Sequence, residues 1–70
     1  MWTLTERING TTKEVKTLEY INVDGAVRLY KSLGYTVDEL FTMPEWNRYT
    51  FLKYREGDGL IELILEWEEE

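Results

Sequence analysis

The chain has 70 residues, 43% of them hydrophobic and 31% charged, with three Trp, five Tyr and two Phe to fill a core. That is globular rather than disordered composition, in a length that supports one small core and not two. Neither Cys nor His occurs, which excludes disulfide staples, thiolate chemistry and any imidazole base or ligand, and the net charge of −6 opposes direct binding to nucleic acid.

The first element is predicted as a β-hairpin over roughly residues 2–9 and 12–20. Trp2, Leu4 and Ile8 alternate with Thr3, Thr5 and Arg7 at a strand's period of two. Asn9-Gly10 then suits the positive φ angles of a two-residue turn. Such a turn sets Leu4 against Val15, Glu6 against Lys13 and Trp2 against Thr17.

The period then changes. Val23, Ala26, Val27, Tyr30 and Leu33 fall on one side of a helix. Asn22 or Asp24 can cap its start, and Gly34 reads as the left-handed residue past its end, with Tyr35 folding back onto it. A third strand follows from Tyr35 through Val37 and Phe41 to Met43 and stops at Pro44, which cannot donate to a ladder. Residues 46–55 and 60–67 are the fourth and fifth strands, joined through Glu56-Gly57-Asp58-Gly59. A two-residue turn at Asp58-Gly59 or at Gly57-Asp58 puts Leu52 and Tyr54 on the face of Ile61, Leu63, Leu65 and Trp67. Trp2, Trp46 and Trp67 all fall at strand positions and are expected in the core. Residues 68–70 read as a frayed acidic tail.

The order is therefore β-β-α-β-β-β. The fold class is α+β: a single domain over residues 1–70, with a mostly antiparallel five-stranded sheet and one helix packed on one face. A helix of ~16 Å cannot cover a sheet ~24 Å wide. The uncovered face is predicted to expose Tyr49, Phe51, Leu60, Glu62, Ile64 and Glu66 as a partner-binding surface. Charge is uneven along the chain: residues 1–22 are neutral, 23–45 carry −2 and 46–70 carry −4. Aromatic and acidic side chains together suit a basic partner surface.

Catalytic and cofactor signals are weak. Asp38 and Glu39 are neighbours in a predicted strand and point to opposite faces, and Glu56 and Asp58 lie in a turn where carboxylates are common. Ser32 is the one serine and has no base to activate it. Gly57-Asp58-Gly59 joins two strands rather than opening a helix, so it forms no phosphate cradle. No catalytic, cofactor-binding or metal-binding residue is expected. The start of the chain has no apolar run of a secretory signal and no stretch is apolar enough to span a membrane, so a soluble cytoplasmic protein is expected.

The run Asp24-Gly25-Ala26-Val27-Arg28-Leu29-Tyr30-Lys31-Ser32-Leu33-Gly34-Tyr35 resembles the helix-then-strand segment of the glyoxalase-like, or vicinal oxygen chelate, family. Extended over residues 18–67, with Gly57-Asp58-Gly59-Leu60-Ile61-Glu62-Leu63, the resemblance implies a βαβββ half-module with Glu62 or Glu66 as a metal carboxylate. The His ligand common in that family is missing here, and an N-terminal strand is added. The same run resembles a segment of the acyl-CoA-dependent acetyltransferases, but their glycine-containing pyrophosphate loop is absent.

The leading functional expectation is a non-enzymatic accessory or inhibitor protein that docks on a basic, nucleic-acid-binding surface of another protein, by analogy with phage-encoded inhibitors. The alternatives are a structural homodimer through the uncovered sheet face and a glyoxalase-like half-module metalloenzyme.

Overall fold

The computed structural model describes residues 1–68. Strands β1 (Trp2–Ile8) and β2 (Thr11–Leu18) are followed by helix α1 (Val23–Ser32) and by strands β3 (Thr36–Val37), β4 (Arg48–Arg55) and β5 (Gly59–Trp67). The five strands form one sheet in the order β2-β1-β5-β4-β3, every neighbouring pair antiparallel. The helix packs on one face, and the α+β architecture is the one the hydrophobic periods imply.

Asn9 and Gly10 take φ angles of 50° and 82°, both positive as a type I′ turn requires. The register beyond this turn departs from the simple hairpin. Arg7 pairs with Thr12, but Glu6 pairs with Glu14, so Lys13 is an extra residue in a β-bulge. Leu4 therefore lies opposite Lys16, Trp2 opposite Leu18, and Val15 opposite Thr5. The expected Glu6–Lys13 ion pair does not form.

Helix α1 follows its end signals closely. The Asn22 side chain accepts the Gly25 N–H at 3.0 Å, so the cap is Asn22 rather than Asp24. At the other end Gly34 has φ +94°, the Gly34 N–H reaches the Lys31 carbonyl and the Tyr35 N–H reaches the Tyr30 carbonyl. Those two bonds make a Schellman motif, and the Tyr30 and Tyr35 rings meet edge to face at 5.9 Å. Lys53 Nζ donates to the Leu33 carbonyl at 2.6 Å and sits 5.4 Å from the Tyr35 ring centre, holding a cation at the negative end of the helix.

Strand β3 is much shorter than its alternation suggests. After Val37 the Leu40 N–H turns back to the Asp38 carboxylate and the Phe41 N–H to the Asp38 carbonyl. Pro44–Trp46 then form a single 3-10 turn, ended by Asn47 at φ 53°. Trp46 therefore leaves the strand it was assigned to and is 75% exposed. Glu68 is not frayed: its N–H donates to the Met1 carbonyl at 2.8 Å. Glu69 and Glu70 lie outside the described residues.

The β4–β5 connection has the largest consequence. Arg55 pairs with Gly59, leaving the three residues Glu56, Gly57 and Asp58 in the loop. An odd loop reverses the facing that either two-residue turn would give. Phe51 pairs with Leu63 and Tyr49 with Leu65 on the helix-covered face, while Leu52 and Tyr54 move to the other side. Phe51 is fully buried, 5.0 Å from the Tyr30 ring, in a core with Ala26, Tyr35, Ile61, Leu63 and Leu65. Trp2 and Trp67 close one end of that face as an edge-to-face pair at 5.7 Å.

The two hairpin turns are tied together by one side chain. Asn9 Nδ2 donates to the Asp58 carbonyl at 2.9 Å and Asn9 Oδ1 accepts the Leu60 N–H at 3.0 Å. Gly59, at φ +92°, lies against this amide, and a Cβ at Gly59 would run into it.

Candidate functional site

The six residues read as one partner surface are divided between the two faces of the sheet. Tyr49 and Phe51 belong to the helix-covered core, which corrects their assignment to the uncovered face; the three-residue turn is the reason. Leu60, Glu62, Ile64 and Glu66 do share the uncovered face. There Ile64 is only 8% exposed, between Thr5 and Thr50. Glu66 accepts from Arg48 Nη1 at 3.3 Å, and Glu62 lies between Arg7 and Leu52. Leu52, Tyr54 and Leu60 lie at the turn end of this face, and the rest of it is paved with β-branched and charged side chains, Arg48 paired with Glu66 among them.

Four exposed apolar side chains gather on the β3–β4 loop, residues 38–47. Leu40 is 83% exposed, and Phe41, Met43 and Trp46 are also exposed. The loop backbone under them is well held. Thr42 Oγ1 accepts the Thr50 N–H at 3.0 Å, Thr50 Oγ1 donates to the Phe41 carbonyl at 3.0 Å, and Met43 bridges to Arg48. Thr50 is almost wholly buried by this arrangement. A loop whose polar backbone groups are satisfied while its large apolar side chains stay in water is arranged as a contact surface.

Asp38, Glu39 and Glu45 are the charged residues of the same loop, with no base among residues 38–47. Among the described residues the ion pairs are Glu14–Lys16, Arg48–Glu66 and Arg55–Asp58, none of them using these three carboxylates. The loop therefore joins aromatic area to uncompensated negative charge. Sequence reading missed it because Leu40, Phe41, Thr42 and Met43 alternate like a strand. Pro44, favoured at the first position of a helical turn, and Asn47, tolerant of positive φ, were the signals for an irregular loop.

A concavity of ≈ 240 Å³ opens where α1 stops short of β1 and β2. Leu4 lies in its lining, Tyr30 and Leu33 on the helix side, and Glu6, Glu14 and Lys16 on the strand side. Burial, and then the neighbouring Tyr35, raise the Tyr30 phenol above its ordinary pKa. Among the described residues no three carboxylates come together as a metal site, so Glu62 and Glu66 gain no further acidic ligand. Among the described residues no helix is long and apolar enough to cross a membrane. Set against protein-family models, curated proteins and solved structures, the chain gives no significant match to any of them.

Proposed function

We propose that the chain is a non-enzymatic interaction module, a small acidic accessory or inhibitor protein that docks its β3–β4 loop on a basic surface of another protein. The observation that carries this reading is the exposure of Leu40, Phe41, Met43 and Trp46 beside Asp38, Glu39 and Glu45. Trp and Phe supply contact area at low entropic cost, and the carboxylates steer a Lys- or Arg-rich surface toward them. The net charge of −6 acts in the same direction at longer range. A partner surface of this kind is one that also holds nucleic acid, whose phosphates this protein would displace.

The experiment is capture from host lysate on immobilised wild-type protein, followed by titration of the purified partner against wild type and a Leu40→Ser/Phe41→Ser/Trp46→Ser variant. All three side chains are exposed, so the variant keeps its fold. Binding should weaken at least ~30-fold, about 2 kcal/mol, fall with added salt, and be competed by DNA where the partner binds DNA. A partner held equally well by the triple variant would remove the loop from the reading.

A further inference from the structure

Strand β2 is one outer strand of the sheet, and Thr11 through Thr17 are all exposed along it. The opposite edge is β3, with two residues. An open strand with unpaired backbone groups is a template for another strand, and the side chains of β2 specify which one. We propose that two copies of this chain pair antiparallel through β2, about a two-fold axis at Val15, into one continuous sheet.

Charge selects this register. With the axis at Val15, Glu14 faces Lys16 of the second copy and Lys16 faces its Glu14, so both ion pairs form at once. Opposed residues of an antiparallel pair share a face, so the neighbouring registers move the axis by a whole residue, and an axis at Glu14 sets Glu14 against Glu14 of the second copy. An axis at Lys16 sets Lys16 against Lys16 of the second copy and leaves Glu14 facing Leu18, with no ion pair. The selected register also fits both faces. On the uncovered side the cross-strand row Thr50, Ile64, Thr5, Val15 is β-branched throughout and would continue through Val15 of the second copy. On the helix side Glu6 and Glu14 oppose each other, with Lys16 of the same chain 3.8 Å from Glu14. Lys16 of the second copy brings another cation to those two carboxylates.

The Lys13 bulge ends the regular ladder, so the paired strip is short and below the ~1,200 Å² of a standard interface. Association is therefore reversible and concentration-dependent. Loop 38–47 lies at the β3–β4 side of the sheet, so the dimer would carry two free copies of it.

Sedimentation equilibrium at ~0.15 M salt, where the screening length of ~8 Å suppresses repulsion between the two net charges, tests the proposal. The wild-type mass should rise from 8.4 kDa toward twice that value as concentration goes from about 10 µM to about 1 mM. Glu14→Lys and Lys16→Glu should each weaken self-association at least ~10-fold by placing like charges across the axis. An equimolar mixture of the two variants should restore the dimer, because their substituted positions then face opposite charge. A wild type that stays monomeric at the highest concentration overturns the proposal. So does a dimer unaffected by either substitution, or a mixture that fails to recover, and circular dichroism of each variant excludes misfolding as the cause.

Discussion

Replacing Asn9 by Ala should destabilise the protein by ~2–3 kcal/mol, although Asn9 is exposed. Two effects add. The side chain makes two hydrogen bonds to the backbone of the other hairpin turn, to Asp58 and Leu60, at ~0.5–1 kcal/mol each net. The backbone sits at φ 50°, where a residue with a Cβ and no compensating side chain is disfavoured by ~1 kcal/mol or more. A chain of 70 residues has roughly 4–10 kcal/mol of stability in total, so this one turn residue carries a large share. Asn9→Gly separates the two effects, because glycine accepts positive φ freely and loses only the hydrogen bonds. It should cost ~1–2 kcal/mol. Urea denaturation followed by tryptophan fluorescence measures both, and by melting temperature Asn9→Ala should fall ~10–20 °C. Asn9→Ala within ~0.5 kcal/mol of wild type, or Asn9→Gly as costly as Asn9→Ala, would refute the two-part account.

Two further outcomes are expected. The raised Tyr30 pKa means that the native state favours the neutral phenol, so its contribution is fully present below the ordinary value of 10.0 and is lost as pH rises through the higher native value. Stability measured by urea midpoint should therefore decline above pH ~10, and Tyr30→Phe should decline less steeply; parallel curves would assign the decline to other groups. Phe51→Ala should cost ~3–5 kcal/mol and Tyr54→Ala less than ~0.5, because the first is buried and the second exposed; the reverse order would return the sheet to the facing that a two-residue β4–β5 turn dictates.

Elements whose signals are local were legible in the sequence. The Asn9-Gly10 turn, the Asn22 cap and the Gly34-Tyr35 stop each act through residues a few positions apart, and each occurs where its residues stand. What was not legible depended on counting. One bulged residue at Lys13 moved Val15 out to the uncovered face, and one more loop residue at Glu56-Gly57-Asp58 exchanged Phe51 with Leu52. Two glycines at positive φ, Gly57 and Gly59, close this turn, and nothing in the run Glu56-Gly57-Asp58-Gly59 says locally that the loop spans three residues rather than two. Asn9 makes the choice from the far hairpin, by filling the space beside Gly59 and bonding Asp58 and Leu60. That interaction spans about fifty positions of sequence and leaves no periodic trace.

The same counting decides where negative charge remains available. In β5 register sets acids beside bases: Glu66 meets Arg48, and Glu62 lies opposite Arg7. The two carboxylates of β5 thus each lie opposite a cation, and the acidic composition of β5 does little for recognition despite its position in the most acidic third of the chain. Residues 38–47 escape this because the turn at Asp38 lifts them off the ladder before a base comes opposite. Leaving the ladder also frees Leu40, Phe41 and Trp46 from the core, since no facing strand buries them. One structural event, the early end of β3, therefore produces both the free charge and the exposed apolar area. A substitution that extended β3 would remove the two together, which is why the proposed contact surface belongs to the loop and not to the acidic strand beside it.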